Sequence, residues 1–193
     1  MYKPVEFRLP EWIEPLLSEK PDLYRTHNQR MELVIELARK NIRKKTGGPF
    51  AAAIFDTADG RLIAPGVNLV TSANQSIAHA EMVAIMQAQS RLSTFDLGGP
   101  GMPVCELVTS TAPCAMCLGA VPWSGVRALV CGARDEDARN IGFDEGSKRP
   151  DWVEELEKRN IRVTNDVCRE EAVGVFKEYV NQGGIIYNGR VTL

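Results

Sequence analysis

The sequence predicts an α/β fold, a three-layer αβα sandwich around a five-stranded mixed sheet, and three observations predict it. Helix-like and strand-like apolar patterns alternate along the chain in the order αββαβαβαβα. Strands separated by helices pair in parallel by crossover, while one tight turn, Asp56-Thr57-Ala58-Asp59-Gly60, joins the first two strands as an antiparallel hairpin. At 193 residues, 44% of them apolar and 25% charged, the chain suffices for one well-buried core and is short for two. Residues 26–180 are therefore read as one domain, 1–25 as an N-terminal arm and 181–193 as a C-terminal tail.

Within the arm, proline and charge surround one short helix from Glu11 to Ser18, anchored by Trp12 and Leu16. Met31, Val34, Ile35, Ala38 and Ile42 recur at helical spacing between Thr26 and Lys45, and Gly47-Gly48-Pro49 stops that segment. Phe50 to Phe55 and Leu62 to Val70 are the hairpin strands. Ala80 to Gln89 reads as a helix, Leu107 to Thr109 as a strand, Cys114 to Trp123 as a helix and Ala128 to Cys131 as a strand. Asp151 to Arg159 is a charged amphipathic helix, Ile161 to Val163 a strand, and Arg169 to Val180 the last helix. Ligands on such sheets bind beyond the carboxyl ends of the strands.

A net charge of −2 gives no general basic surface for nucleic acid, since phosphate contacts dominate that affinity. The cluster Arg39, Lys40, Arg43, Lys44 and Lys45 sits where cations complement a helix C-terminus. Met1 to Pro10 holds no apolar run of signal-peptide length and no stretch approaches a membrane span, so a cytoplasmic protein with no membrane partner is expected. Five scattered cysteines fit a reducing compartment better than a disulfide framework, and only one tight pair asks for an explanation.

That pair is Cys114-Ala115-Met116-Cys117, which opens a helix so that both sulfurs share one face. Thiolates at a helix N-terminus are favoured by its dipole. Alone, the pair fits a metal site and a thioredoxin-like redox site equally. His79-Ala80-Glu81 decides between them, because imidazole is the usual third ligand beside two thiolates, and a helix starting at this point lets His79 and Glu81 converge. Fourth-ligand candidates are weak: Cys105, Cys131 and Cys168 read as small buried hydrophobes, and His27 is far away in sequence. Three protein ligands on Zn2+ keep a position open for water, as catalytic sites do. Glu81 is then the residue that takes the proton.

His79-Ala80-Glu81 together with Pro113-Cys114-Ala115-Met116-Cys117 resembles the signature of the cytidine-deaminase-like zinc deaminases, and the element order over about Thr26 to Tyr179 is similar too. Within that superfamily the chain is most similar to the bacterial guanine deaminases, through Gly47-Gly48-Pro49-Phe50, Asn68, Trp123 and Gly142-Phe143-Asp144-Glu145. The resemblance implies hydrolytic deamination of a free nucleobase, most simply guanine to xanthine. It implies that Asn68 and the backbone of Ala80 bond the base, that Phe50 and Trp123 pack on the ring, and that an acid of the Asp144-Glu145 pair accepts from the donors of guanine and shuttles protons. Glu145 is preferred over Asp144. It further implies a homodimer in which the tail after Gly183-Gly184 closes a site, exchanged between subunits or kept as an edge strand, with Tyr187 as the lid residue. Ala51 departs from the usual glycine, and the acidic loop departs from the common aspartate. Cytosine, a triazine-type amine or a tRNA adenosine are rival substrates, and a non-catalytic zinc protein closed by Cys105 or Cys131 is the rival of another class.

Overall fold

Thr26 begins the longest helix with a reciprocal cap: its hydroxyl accepts from the Gln29 N–H, and the Gln29 side chain accepts from the Thr26 N–H. The structure, a computed structural model, describes residues 8–189. Its helices are α1 (Ile13–Ser18), α2 (His27–Arg43), α3 (Val70–Ala73), α4 (Ala80–Leu92), α5 (Ala115–Ser124), α6 (Asp135–Asn140), α7 (Trp152–Glu157) and α8 (Arg169–Asn181). Its strands are β1 (Ala51–Asp56), β2 (Leu62–Val67), β3 (Cys105–Thr111), β4 (Ala128–Ala133) and β5 (Arg162–Thr164), in spatial order 2-1-3-4-5.

Alternation along the strands divides the core. Ala51, Ala53, Phe55, Val108 and Val130 pack under α2 and α8, while Ala52, Ile54, Leu107 and Leu129 pack under α4, α5 and α7. The expected three-layer sandwich follows. The sheet carries two antiparallel pairings where the sequence suggested one: β1 lies between β2 and β3 and opposes both, and β3–β4 and β4–β5 are parallel. The cause is the crossover through α4, which carries the chain from the β2 edge past β1, so β3 runs in the direction of β2.

Two short helices had no periodic signal. The apolar run to Val70 ends as strand at Val67 and turns into α3. In α6 only Ala138 is buried, and the helix is held by charge, with Arg169 Nε 2.8 Å from Asp137 Oδ2. After α8 the tail runs as irregular chain across the carboxyl end of the sheet and forms no strand over 184–189, which corrects the edge-strand alternative. Residues 190–193 of the tail and the first seven of the arm lie outside the described residues. No described helix is long and apolar enough to cross a membrane.

Candidate active site

Both motif helices begin at the same end of the sheet, and a close backbone approach seats the first of them. At Gly66 of β2, a Cβ would stand 2.3 Å from the Ala80 carbonyl oxygen and 2.5 Å from the Ala84 nitrogen, so glycine is what lets the first turn of α4 lie on the strand. Cys114 and His79 are the N-cap residues of α5 and α4, both in extended backbone, and their side chains meet: Cys114 Sγ is 3.4 Å from His79 Nδ1. The ligand atoms of His79, Cys114 and Cys117 all lie within 4.8 Å of one another, and they are the one such metal-capable group among the described residues. Neither Cys105, Cys131, Cys168 nor His27 joins it; His27 instead faces Glu106 at 3.4 Å.

The electrostatics of the trio fit a cation. A hydrogen bond from Cys117, against the cost of burial and with help from His79, pulls the Cys114 thiol down to about 4, while Cys117 is pushed far up by that same bond and by burial. Burial opposes charge on His79, but Cys114, Glu81 and Glu145 outweigh it and raise its imidazole. Two sulfurs and one imidazole in this arrangement are a zinc donor set with room for a further ligand.

Glu81, in the first turn of α4, is buried beside Cys117, and burial followed by the Cys114 charge raises its carboxyl. It faces a cavity of about 430 Å³ that also takes in His79, Cys114, Phe50, Asn68, Glu145 and Tyr187. Phe50 stands edge-on to Phe143 at 4.9 Å and to Phe176 at 5.5 Å, which fixes its ring in the wall. Asn68 is 1% exposed. Its carbonyl accepts from Asn41 Nδ2 at 2.9 Å and its side-chain oxygen lies 3.3 Å from the Val70 N–H. At Gly47 a Cβ would overlap the Asn68 carbonyl oxygen, so Gly47 and Asn41 together seat this residue.

The loop after α6 turns its two acids in different ways. Glu145 is 6% exposed and faces the cavity, and its carbonyl accepts from the Ala115 N–H at 2.9 Å. Burial, then Cys114 and Glu81, push its carboxyl up to about 8. Asp144 sits at the rim and is exposed; its Oδ1 accepts from the Gly146 N–H at 2.9 Å. Tyr187 donates no strand pairing but reaches the site, its hydroxyl accepting from the Asn68 amide.

One expected contact needs correction. Trp123 is 86% exposed on the outer face of α5 and does not face the cavity, because the helix turns its Cys117 face inward and the Trp123 side outward. Ala80 packs fully buried against Gly66 in the first turn of α4. Sequence reasoning missed Thr111 and Asn188. Asn188 ties the tail to the acidic loop, its Oδ1 accepting from the Asp144 N–H at 2.7 Å and its Nδ2 donating to the Gly142 carbonyl at 2.8 Å, and nothing local in the sequence marks it.

Known proteins match this geometry. The chain is 36% identical to a guanine deaminase of Bacillus subtilis (strain 168) over 135 residues, which are 70% of this chain and 82% of that protein. It is 32% identical to the tRNA-specific adenosine deaminase of the same organism over 154 residues, 78% of this chain and 89% of the other. The solved structure of a guanine deaminase from Nitrosomonas europaea superposes with a TM-score of 0.87 at 45% identity, covering 93% of this chain and 97% of that one. Residues 24–133 match the model of the cytidine and deoxycytidylate deaminase zinc-binding region. That match takes in His79, Glu81, Cys114 and Cys117, and the chain belongs to the cytidine and deoxycytidylate deaminase zinc-binding family.

Proposed function

We propose that this protein deaminates free guanine hydrolytically, releasing xanthine and ammonia. The observation that carries the reading is the placement of a buried acid, Glu145, across one cavity from Glu81 and the metal trio, with Asn68 and Phe50 in the same wall. The relatives named as guanine deaminases support the choice of base.

Zn2+ held by His79, Cys114 and Cys117 would supply a water acidified to about pKa 7. Glu81, whose burial makes its carboxylate more basic than a free glutamate, takes a proton from the attacking water and delivers it to the ring nitrogen next to the amino-bearing carbon. It carries the next proton to the amine; the carbon–nitrogen bond breaks, ammonia leaves and the ring keeps an oxo group. Glu145 as carboxylate accepts from the ring N–H and amino donors, and when protonated it passes that proton on. Asn68 orients the base edge, Phe50 packs on the ring, and Tyr187 covers the pocket with Asn188 and Gly189 beside it. A covered pocket suits a free base better than one held in a polynucleotide.

The working unit we propose is a homodimer. Helix α5 carries no charged side chain, yet it exposes Met116, Gly119 and Trp123 in one stripe. A second copy of the same face would cover it. Each tail is proposed to close its own subunit's site, supported by the Tyr187–Asn68 bond and by the Tyr179 hydroxyl donating to the Ile185 carbonyl at 2.8 Å. A cytoplasmic setting is part of the same proposal, in keeping with a free base as substrate.

The test is ammonia release by zinc-loaded protein from guanine, adenine, cytosine, cytidine, guanosine and an adenosine-bearing tRNA stem-loop. Turnover of guanine above the rest is expected. Preference for the stem-loop would overturn the reading in favour of the tRNA enzymes, and preference for cytosine would discard the role given to Glu145.

A further inference from the structure

Thr111 ends β3, three residues before Cys114, and lines the same cavity as Glu81 and Glu145. It is 3% exposed, and its hydroxyl has no hydrogen-bond partner. Among the described residues one other buried side-chain oxygen, on Asp135, is likewise without a hydrogen bond, and that carboxylate is already ion-paired with Lys148. Ser110, the preceding residue, shows how a hydroxyl on this strand is used when structure alone requires it: its Oγ accepts from the Ala51 N–H at 3.1 Å and ties β3 to β1.

An unpaired buried hydroxyl costs stability, and the strand has no need of one at this place. Valine has the same shape and an equal or better strand preference, and it would leave no orphan atom. The hydroxyl is thus unexplained by folding, while it borders the cavity that Glu81, Glu145 and Asn68 also line. Resting on the deaminase reading above, we propose that Thr111 is a substrate-binding residue, its hydroxyl hydrogen-bonding a polar edge atom of the bound heterocycle. A hydroxyl both donates and accepts, so one side chain follows the base through the change of protonation along the reaction. A ring with carbon at that edge would leave the hydroxyl and its own surroundings unpaired, so the contact also selects among bases.

The experiment compares Thr111→Val and Thr111→Ser with the wild type, each zinc-loaded, for zinc content, melting temperature and kcat/KM on the bases of the panel above. Thr111→Val is expected to keep its zinc and to melt no lower than the wild type, because an unpaired hydroxyl has been removed. Its kcat/KM is expected to fall about tenfold, the range of one lost hydrogen bond, and Thr111→Ser to recover most of that loss. Wild-type kcat/KM in Thr111→Val would overturn the proposal. So would a drop in melting temperature equal in both variants, which would make the side chain a packing or water-binding element. Should the wild type turn over another base and not guanine, the guanine reading fails while the ratio of variant to wild type still judges Thr111. A zinc-loaded wild type inert on every base would contradict both.

Discussion

The Tyr187 hydroxyl hydrogen-bonds the side-chain amide of Asn68, joining the tail to the end of the hairpin across 119 residues of sequence. Tyr187 also stands edge-on to Phe143 at 5.5 Å and to His79 at 6.4 Å. One residue therefore touches the Asn68 amide, the acidic loop and His79 at once. Removing only the hydroxyl, Tyr187→Phe, should leave zinc content unchanged and raise KM by roughly three- to tenfold, the range of one hydrogen bond. Steady-state kinetics on zinc-matched protein checks this; an unaltered KM would show that the tail does not depend on Asn68.

The proposed closure of each site by its own subunit's tail is tested in mixed dimers. Glu81→Gln subunits keep a tail but no proton carrier, and subunits ending at Gly184 keep Glu81 but no tail. If each tail serves its own site, dimers made by mixing the two should stay as inactive as either parent. Recovery of activity toward half of wild type in the isolated heterodimer would mean that tails are exchanged.

Zinc uptake should release protons. Stripped of metal, the site holds a proton on Cys117, whose thiol is pushed up by the Cys114 hydrogen bond and by burial, while Cys114 is already a thiolate above about pH 4. Coordination needs both sulfurs deprotonated. Affinity should thus rise with pH across the neutral range, and calorimetry in buffers of different ionisation enthalpy should show roughly one or more protons released per ion. A release of none would contradict the shared-proton pair.

Beneath the site, Lys148 donates to the Pro113 carbonyl at 2.7 Å, is ion-paired with Asp135 and lies 5.9 Å from the Trp152 ring centre. It thereby pins the acidic loop to the segment that presents Cys114. Its side chain is nearly buried and that of Asp135 only partly, so Lys148→Met should cost about 1–2 kcal/mol, less than a fully buried pair. Burial disfavours the Asp135 carboxylate, but Lys148 and Arg139 outweigh it and hold the group below its usual range. A depressed carboxylate contributes stability that is present above its unfolded pKa and lost as pH falls through the folded value. The gap between wild type and Lys148→Met should therefore be full near neutrality and shrink below about pH 4, as thermal melts across pH would record.

Periodicity carried most of the fold. The apolar registers of α2, α4 and α8 and the continuous apolar run of β1 report burial that the sandwich then provides. What local pattern cannot hold is partner choice across the chain: β1 opposes β3 because of where the α4 crossover lands, and α6 exists through Arg169 on Asp137, a contact spanning 32 residues. The site divides in the same way. His79, Glu81, Cys114 and Cys117 were legible because their chemistry and helix-start positions are both local. Thr111 and Asn188 were not, since one is marked by a missing partner and the other by contacts with a distant loop. Trp123 was misplaced because only the first turn of α5 reaches the pocket, while the helix turns the Trp123 ring outward.

The most direct test of the account is xanthine formation from guanine by wild type and Glu81→Gln at equal zinc content. Wild type should release xanthine and ammonia in equal amounts, and the Gln variant should keep its zinc but lose at least about a thousandfold in kcat, the scale of general acid–base catalysis. A wild type that forms no xanthine, or a Gln variant that forms it at a comparable rate, would contradict the reaction assigned or the role of Glu81 in it.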